Sequence, residues 1–176
     1  MKNILLGVTG SIAAYKAAEI ANILVKKGHT VHVIMTASAQ RFITPLTFQT
    51  LTKNKVYTNM FDEIVYEDVR HISLAKNADC ALIAPATANI IGKIASGIAD
   101  DMLSTVIMAL RNKPVLICPA MNTTMYENPV VQANIEKLTG LGYCFAEPKE
   151  ALLACGDLGK GALADVDLIV NTVLSV

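Results

Sequence analysis

A carboxamide side chain follows a short apolar run in the second half of the sequence. Residues 115 to 118 read Val-Leu-Ile-Cys, and Asn122 lies in the polar turn just beyond them. Ligands of open α/β sheets bind beyond the carboxyl ends of strands, so this side chain is available for chemistry. Asn122 can donate two hydrogen bonds and accept two, which suits a carboxylate or an amide-like ring edge. The alternative is a turn residue that caps the next helix, because Asn favours turns for local backbone reasons.

A second polar turn follows another apolar run. Residues 85 to 90 read Pro-Ala-Thr-Ala-Asn-Ile and come directly after the strand-like residues 81 to 84. One Thr or Asn in this place is compatible with a simple helix cap. Two matching turns beyond neighbouring strand ends instead predict a crevice, in which small residues let a flat ring approach the backbone.

A glycine turn joins the first strand-like run to the first helical pattern. Gly7 to Ala13 read Gly-Val-Thr-Gly-Ser-Ile-Ala, where backbone N–H groups and the helix dipole favour a phosphate. The spacing is neither the GxGxxG of a dinucleotide site nor a P-loop, and no acidic residue follows the second strand. Neutral hydroxyls at Ser11, Thr36 and Ser38 suit a phosphate monoester or the ribityl chain of FMN. A tight turn whose hydroxyls only cap helices remains the alternative.

Other reactive residue types occur singly. His71 begins a short helical pattern, where a lone histidine is typical of a surface or capping group. Asp100 and Asp101 favour the start of the following helix through its dipole, so we interpret them as structural. The four cysteines are scattered without a CxxC pair or a neighbouring His, which argues against a metal site. Three are expected as buried reduced thiols in or beside strands, whereas Cys155 lies in a glycine-rich segment, and a cytosolic location follows.

The elements that must position these residues alternate between strand and helix. Apolar runs at 4 to 8, 31 to 35, 81 to 84 and 115 to 118 are separated by helical patterns, which predicts a parallel sheet covered on both faces. We therefore expect one doubly wound α/β domain, Rossmann-like or flavodoxin-like, over residues 1–176. Predicted helices cover residues 11 to 27, from 44–45 onward, 89 to 96, 101 to 110, 128 to 140 and 165 to 174. Residues 52 to 70 and 147 to 164 are expected to be irregular, the first as a surface connection with at most one short strand and the second as a glycine-bearing lid.

The amino-acid composition limits the classes of partner and ligand that this chain is expected to bind. Of 176 residues, 53% are apolar and 17% charged, which favours extra surface buried between subunits of an oligomer. Lysine plus arginine equals aspartate plus glutamate at 15 each, and no basic cluster occurs, so nucleic-acid binding is not expected. No stretch is long and apolar enough to span a membrane. Small molecules are the expected ligands.

Taken in order along the chain, these motifs resemble those of the homo-oligomeric flavin-containing cysteine decarboxylases. The resemblance rests on the segments at 10 to 16, 85 to 89, 119 to 126 and 154 to 157, together with His71. It covers nearly the whole chain. A synthetase domain is fused to this domain in many bacterial relatives, and we expect that ligase step to belong to another polypeptide here.

The resemblance implies a role for each motif. FMN is expected between the subunits of a trimer, or of a dodecamer that is assembled from trimers. Asn122 is expected to grip the substrate carboxylate, His71 to act as acid/base or orienter, and Cys155 to donate the last proton. The implied FMN-binding residues are Gly10, Ser11, Ile12, Thr36, Ser38, Thr87, Ala88, Asn89, Ile90 and Ala120. The implied substrate-binding residues are Asn122, Met125, Ala154, Gly156 and Asp157, the last three in a segment expected to close over the substrate.

The implied reaction is the decarboxylation of 4'-phosphopantothenoylcysteine to 4'-phosphopantetheine in coenzyme A biosynthesis. Loss of CO2 from a cysteine carboxylate needs an electron sink, which FMN supplies by oxidising the thiol to a thioaldehyde. Decarboxylation then gives an enethiolate, which is reduced and protonated. A peptidyl-cysteine decarboxylase of lantibiotic maturation stops at the enethiol, so the Ala-Cys-Gly-Asp segment argues against it. A regulatory FMN-binding protein would carry long acidic extensions, and a flavin prenyltransferase would lack the motifs at Asn122 and Cys155.

Overall fold

The computed structural model describes residues 1–61, 69–152, 156 and 158–176. The strands are β1 (Asn3–Val8), β2 (Thr30–Met35), β3 (Val56–Tyr57), β4 (Cys80–Ala86), β5 (Val115–Pro119), β6 (Cys144–Phe145), β7 (Lys149–Leu152) and β8 (Leu158–Ala162). The helices are α1 (Ala14–Lys26), α2 (Pro45–Thr52), α3 (Arg70–Asn77), α4 (Ala88–Ser96), α5 (Met102–Ala109), α6 (Thr123–Tyr126), α7 (Pro129–Gly140) and α8 (Val166–Ser175). A short 3₁₀ turn covers Ala39–Arg41.

Six strands form one parallel sheet in the order β3-β2-β1-β4-β5-β6. The doubly wound α/β fold expected from the sequence is confirmed. Of the two types left open, the strand order is that of the Rossmann arrangement. The order reverses between β1 and β4, because the chain first builds outward from β1 to β3 and then returns to the other side of β1. A crevice is expected outside the carboxyl ends of these two strands.

Each face of the sheet has its own hydrophobic core. Ile4 and Leu6 of β1 face a cluster that includes side chains of α1, α2 and α8. Leu5 of the same strand faces the opposite cluster, to which α3, α4, α5 and α7 contribute. Because successive side chains of a strand point to opposite faces, a strand buried on both must be apolar throughout. Among the described residues, no helix is long and apolar enough to cross a membrane.

Proline and glycine set several helix ends as predicted. Pro45 and Pro129 occupy the first positions of α2 and α7, where a missing N–H costs nothing. Gly28 follows α1 with a φ of 84°, a conformation that glycine adopts without strain. The expected start of α1 at Ser11 is wrong by one turn. The Ser11 N–H donates to the Thr9 carbonyl at 2.9 Å, which closes a tight turn before the helix begins at Ala14.

The segment expected to be an irregular loop at 147 to 164 is instead largely a hairpin. Strands β7 and β8 pair antiparallel, with Leu152 opposite Leu158. Glycines at 159 and 161 lower the strand propensity of β8, which is why the sequence alone favoured a loop. Residues 153–155 and 157, within the expected lid, lie outside the described residues.

The edge of the sheet opposite the crevice carries a pH-sensitive contact. The backbone N–H of Lys2 donates to Nδ1 of His29 at 3.1 Å, so that nitrogen must be unprotonated. Partial burial, the N-terminal amine, Lys2 and Lys27 lower the pKa of His29 below its ordinary value, and burial lowers the pKa of His32.

We predict that acidification destabilises the protein before its carboxylates titrate. Because the folded-state pKa values of His29 and His32 are lowered, the unfolded chain binds more protons, and stability is lost as pH falls from about 7 toward 5. Thermal unfolding followed by circular dichroism should show a falling midpoint across this range. His29→Gln keeps a hydrogen-bond acceptor without titrating, so its midpoint should fall less. An equal fall in both proteins would exclude His29 as the titrating group.

Candidate functional site

A cleft of about 910 Å³ lies at the carboxyl edge of the sheet. Its walls come from the segments after β1, β2, β4 and β5 and from the hairpin strand β8. This is the crevice that the reversal of strand order predicts, and its volume is large for a ligand pocket.

The cleft brings together most of the residues singled out in the sequence. All ten predicted FMN-binding residues line it, and so do Asn122 and Met125. Gly156 is not among the lining residues, and neither is His71. Ala154, Cys155 and Asp157 lie outside the described residues.

The segments after β1 and β2 meet closely at Gly10. A Cβ atom at this position would stand 2.4 Å from Cβ of Ser38, nearer than side-chain atoms approach. Gly10 therefore allows the two segments to form one continuous wall of the cleft. Any larger residue would push them apart and displace the hydroxyl of Ser38.

Two hydroxyls on this wall also cap local backbone. Oγ of Ser11 accepts from the Ala13 N–H at 3.3 Å, and Oγ1 of Thr36 accepts from the Ala39 N–H at 3.2 Å. A hydroxyl that accepts in this way still carries its own donor, which suits a phosphate or a ribityl oxygen. The capping and the ligand-binding interpretations of these two hydroxyls are therefore compatible.

Thr9 ties the ends of β1 and β4 together. Its hydroxyl donates to the Pro85 carbonyl at 2.7 Å and accepts from the Thr87 N–H at 3.0 Å. The residue is 1% exposed. Sequence reasoning missed it, because Thr9 only interrupts an apolar run and its two partners are distant in the chain. Thr87 is thereby fixed at the start of α4, where its own side chain accepts from the Ile90 N–H.

Asn122 is both a helix cap and a cleft residue. Its Oδ1 accepts from the Thr124 N–H at 2.9 Å, which caps α6 as the sequence suggested. The side chain is half-buried and lines the cleft beside Met121 and Met125. The carboxamide NH2 group is a donor of two hydrogen bonds, and a carboxylate accepts hydrogen bonds of this kind.

A cluster of three charged residues lies beside the cleft. Nζ of Lys93 is 2.6 Å from Asp100 and 2.8 Å from Asp101, and Lys93 and Asp101 both line the cleft. Hydrogen bonds to Asp100 and Asp101 raise the pKa of Lys93. Burial alone would raise the pKa of Asp101, but hydrogen bonds from Lys93 and Ser104 lower it.

The structural role predicted for the two aspartates is confirmed at Asp101. Its carboxylate accepts from the Ser104 N–H at 2.8 Å, and the Ser104 hydroxyl accepts from the Asp101 N–H, which completes a capping box at the start of α5. The cleft contact of Asp101 was not predicted.

His71 lies on α3, which packs on the opposite core from α1 and close to α5. It is half-buried and does not line the cleft of its own chain. A sequence motif shows that a histidine is present but not where the fold places it. Further cleft residues that sequence reasoning did not single out are Thr9, Ala13, Tyr15, Lys16, Ala37, Lys93, Met121, Leu152, Gly161, Ala162 and Leu163.

The residues present fit FMN. Neutral hydroxyls and the start of α1 provide donors for a phosphate, and no acidic side chain occupies that wall among the residues that line it. Apolar Ile12, Ile90 and Ala120 provide surfaces for a flat ring. The close approach at Gly10 supplies the narrow cradle that such a ring and its chain need.

Comparisons with known proteins agree with this fit. The family described as Flavoprotein matches residues 1–176. The chain is 50% identical over 173 residues to a probable phosphopantothenoylcysteine decarboxylase of Streptococcus mutans, covering 98% of this chain and 97% of that relative. It is 52% identical over 170 residues to the coenzyme A biosynthesis bifunctional protein CoaBC of Bacillus subtilis. That match covers 97% of this chain but spans 42% of the bifunctional relative.

Solved structures are similar over almost the whole chain. One is a cysteine-to-serine variant of PPC decarboxylase complexed with pantothenoylaminoethenethiol, with a TM-score of 0.89 and 33% identity over 99% of this chain and 97% of that one. Another is the FMN-dependent cysteine decarboxylase SpaF, with a TM-score of 0.86 and 32% identity over 99% of this chain and 96% of that one.

We predict that Thr9→Val weakens both the fold and the cleft. Valine has a similar shape but leaves the Pro85 carbonyl and the Thr87 N–H without their buried partner, which costs about 1–3 kcal/mol. Urea unfolding should show this loss, and titration with FMN should show weaker binding because the segment at Thr87 is no longer fixed. Thr9→Ser keeps the hydroxyl and should resemble the unaltered protein. Unchanged stability of Thr9→Val would contradict the bridging role.

Proposed function

This chain belongs to the Flavoprotein family, and we propose how its cleft carries out the decarboxylation of 4'-phosphopantothenoylcysteine to 4'-phosphopantetheine. The chain is an FMN-dependent carboxy-lyase of coenzyme A biosynthesis. The observation that carries the proposal is the meeting of the FMN-binding residues and Asn122 in one cleft. Residues 1–176 form a single flavoprotein domain in this proposal.

The residues of the first two loops would hold FMN. Ser11, Thr36 and Ser38 would bind its phosphate and ribityl oxygens, and the segment from Thr87 to Ile90 would lie along its ring together with Ala120. When bound, FMN supplies a two-electron acceptor for the substrate thiol and later returns a hydride. The side chains that act on the substrate come from the other wall of the cleft.

Asn122 binds and orients the substrate carboxylate in this proposal. The Oδ1 contact to Thr124 fixes the rotation of the carboxamide, so its N–H donors keep one direction. A carboxylate held by neutral donors loses its water without gaining a fixed positive charge, and loss of CO2 is then not opposed by an ion pair. Met125 lines the cleft beside it and presents an apolar surface to the rest of the substrate.

Cys155 supplies the last proton. The thiol protonates the carbon left by CO2, and the Ala154–Asp157 segment that carries it binds the same end of the substrate, Gly156 included. Support comes from the flanking chain, because Leu152 lines the cleft and pairs with Leu158 on the far side of this segment.

The product of purified protein tests the function. Yellow protein incubated with 4'-phosphopantothenoylcysteine should release CO2 and form 4'-phosphopantetheine, identified by mass. An oxidised product that has lost CO2 but kept the enethiol would show that the reductive half is missing. No reaction with this substrate would contradict the proposal.

We predict that Asn122→Asp lowers kcat/KM by about a hundredfold while FMN stays bound. Asp preserves the oxygen that caps α6 but replaces the amide donors with a negative charge, which repels the substrate carboxylate. Steady-state kinetics and the flavin absorbance of the purified variant measure the two effects.

Asn128→Asp provides a matched control for this variant. Asn128 caps α7 through the same contact, from its Oδ1 to the Val130 N–H at 2.9 Å, and does not line the cleft. Its substitution should leave kcat/KM unchanged. Loss of flavin from Asn122→Asp, or an equal loss of activity in both variants, would contradict the substrate-binding role.

A second copy of the chain completes the site in our proposal. His71 does not reach the cleft of its own chain, while Ile12 and Tyr15 on the cleft rim are 60% and 61% exposed. Apolar side chains at that exposure favour burial against another subunit, in a trimer or a dodecamer of trimers. His71 then acts as acid/base or orienter near the substrate thiol of a neighbouring cleft.

Complementation tests this arrangement. We predict that the His71→Asn and Asn122→Asp proteins are each strongly impaired but recover activity in mixed oligomers, because some clefts then receive both native residues from different chains. Light scattering of the native protein measures the oligomer size. If the mixed oligomers had no activity, His71 and Asn122 would have to act in the cleft of the same chain.

We also propose a cytoplasmic location. Cys80, Cys118 and Cys144 are free thiols, and burial raises the pKa of the Cys80 and Cys118 thiols. Reduced, protonated thiols of this kind are typical of a reducing compartment.

A further inference from the structure

We propose that Gly159 and Gly161 of β8 are positioning residues that set the direction of Asn122. The proposal rests on the carboxylate-binding role given to Asn122 above. It assigns the hairpin a function through its backbone, separate from the chemistry of the segment between its strands.

Strand β8 lies directly on the turn that contains Asn122. The N–H of Met121 donates to the Gly161 carbonyl at 3.0 Å, which ties the turn to the hairpin. From the other side, the Thr124 N–H holds Oδ1 of Asn122. The backbone before Asn122 and the side chain of Asn122 are thus fixed by two different elements, β8 and α6.

Glycine is required by space at both positions. A Cβ atom at Gly161 would stand 2.2 Å from the Met121 carbonyl oxygen and 3.4 Å from the carbonyl carbon of Asn122. A Cβ atom at Gly159 would stand 2.4 Å from Oγ1 of Thr123. Neither glycine has a positive φ, so close approach and not backbone conformation explains them.

The two contacts differ in a way that an experiment can use. At Gly161 the obstacle is backbone, which no side-chain substitution removes. At Gly159 it is the side chain of Thr123, whose hydroxyl is buried without a hydrogen-bond partner in the described part of the chain. Shortening Thr123 to alanine therefore makes room for a residue at 159 and sacrifices no hydrogen bond of that hydroxyl.

These substitutions should change the direction of the Asn122 side chain. They should not move the wall formed by the segments after β1 and β2. Gly161→Ala should lift β8 from the turn and lower kcat/KM by about tenfold to a hundredfold, as expected for a small displacement of a substrate-binding group. Gly159→Ala should have a smaller effect of the same kind. Gly10, Ser38 and Thr87 do not touch β8 in these contacts, so FMN affinity should fall much less than kcat/KM.

The experiment compares Gly159→Ala, Gly161→Ala, Thr123→Ala and the double variant Gly159→Ala with Thr123→Ala, all as flavin-loaded protein. Gly140→Ala is the matched control, because a Cβ atom there meets nothing within 4 Å. The measurements are kcat and KM, fluorescence titration with FMN, and hydrogen exchange of residues 120 to 126. We expect faster exchange of the Met121 N–H in Gly161→Ala and Gly159→Ala, and recovery of both exchange and kcat/KM in the double variant.

Unchanged kcat/KM in both glycine variants would overturn the proposal, and so would a double variant no better than Gly159→Ala alone. Should Gly161→Ala fail to fold, the pair at 159 and 123 still decides the question. If the native protein made no product, the proposed function would fail. Hydrogen exchange of residues 120 to 126 would then still show whether β8 holds the turn.

Discussion

Buried backbone groups at the ends of β1 and β4 impose the constraint on which the cleft depends. The strand order reverses between these strands, so the two chain segments separate just beyond the last hydrogen bonds of the sheet. A carbonyl and an N–H left behind at such a point must find partners, since an unpaired buried group is costly. The hydroxyl of Thr9 serves both, accepting from Thr87 and donating to Pro85. One side chain thereby ties together the two segments that border the crevice.

Close backbone approach then gives the cleft its walls. Gly10 brings the first two loops together on one side, and Gly161 brings the hairpin onto the Asn122 turn on the other. Both contacts would be blocked by a single Cβ atom. The result is a cleft whose two sides are each made of two chain segments, so a ligand between them meets surfaces that cannot move independently. A site that orients its ligand needs rigidity of this kind.

The sequence predicts the parts of this arrangement that local chemistry encodes. Continuous apolar strands, Pro45 and Pro129 at helix starts and Asp101 at the start of a helix all depend on near neighbours, and the structure has them where they were expected. Thr9 could not be recognised, because its partners lie more than seventy residues away and an isolated threonine has no pattern. The hairpin was missed for a related reason. Its glycines oppose strand formation locally and are needed for a contact with a distant turn.

At three turns the sequence left two alternatives open, a helix cap and a ligand-binding residue. In the structure these alternatives do not exclude each other. Ser11, Thr87 and Asn122 each accept a backbone hydrogen bond near the start of a helix, and each lines the cleft. The start of a helix has N–H groups that require an acceptor, and it lies at the carboxyl end of a preceding strand where ligands bind. A side chain that accepts a hydrogen bond from the backbone at this point is restricted in rotation. Capping gives a short, neutral side chain the fixed direction that ligand binding requires, so the proposed binding role of these residues and their capping role arise from the same position in the fold.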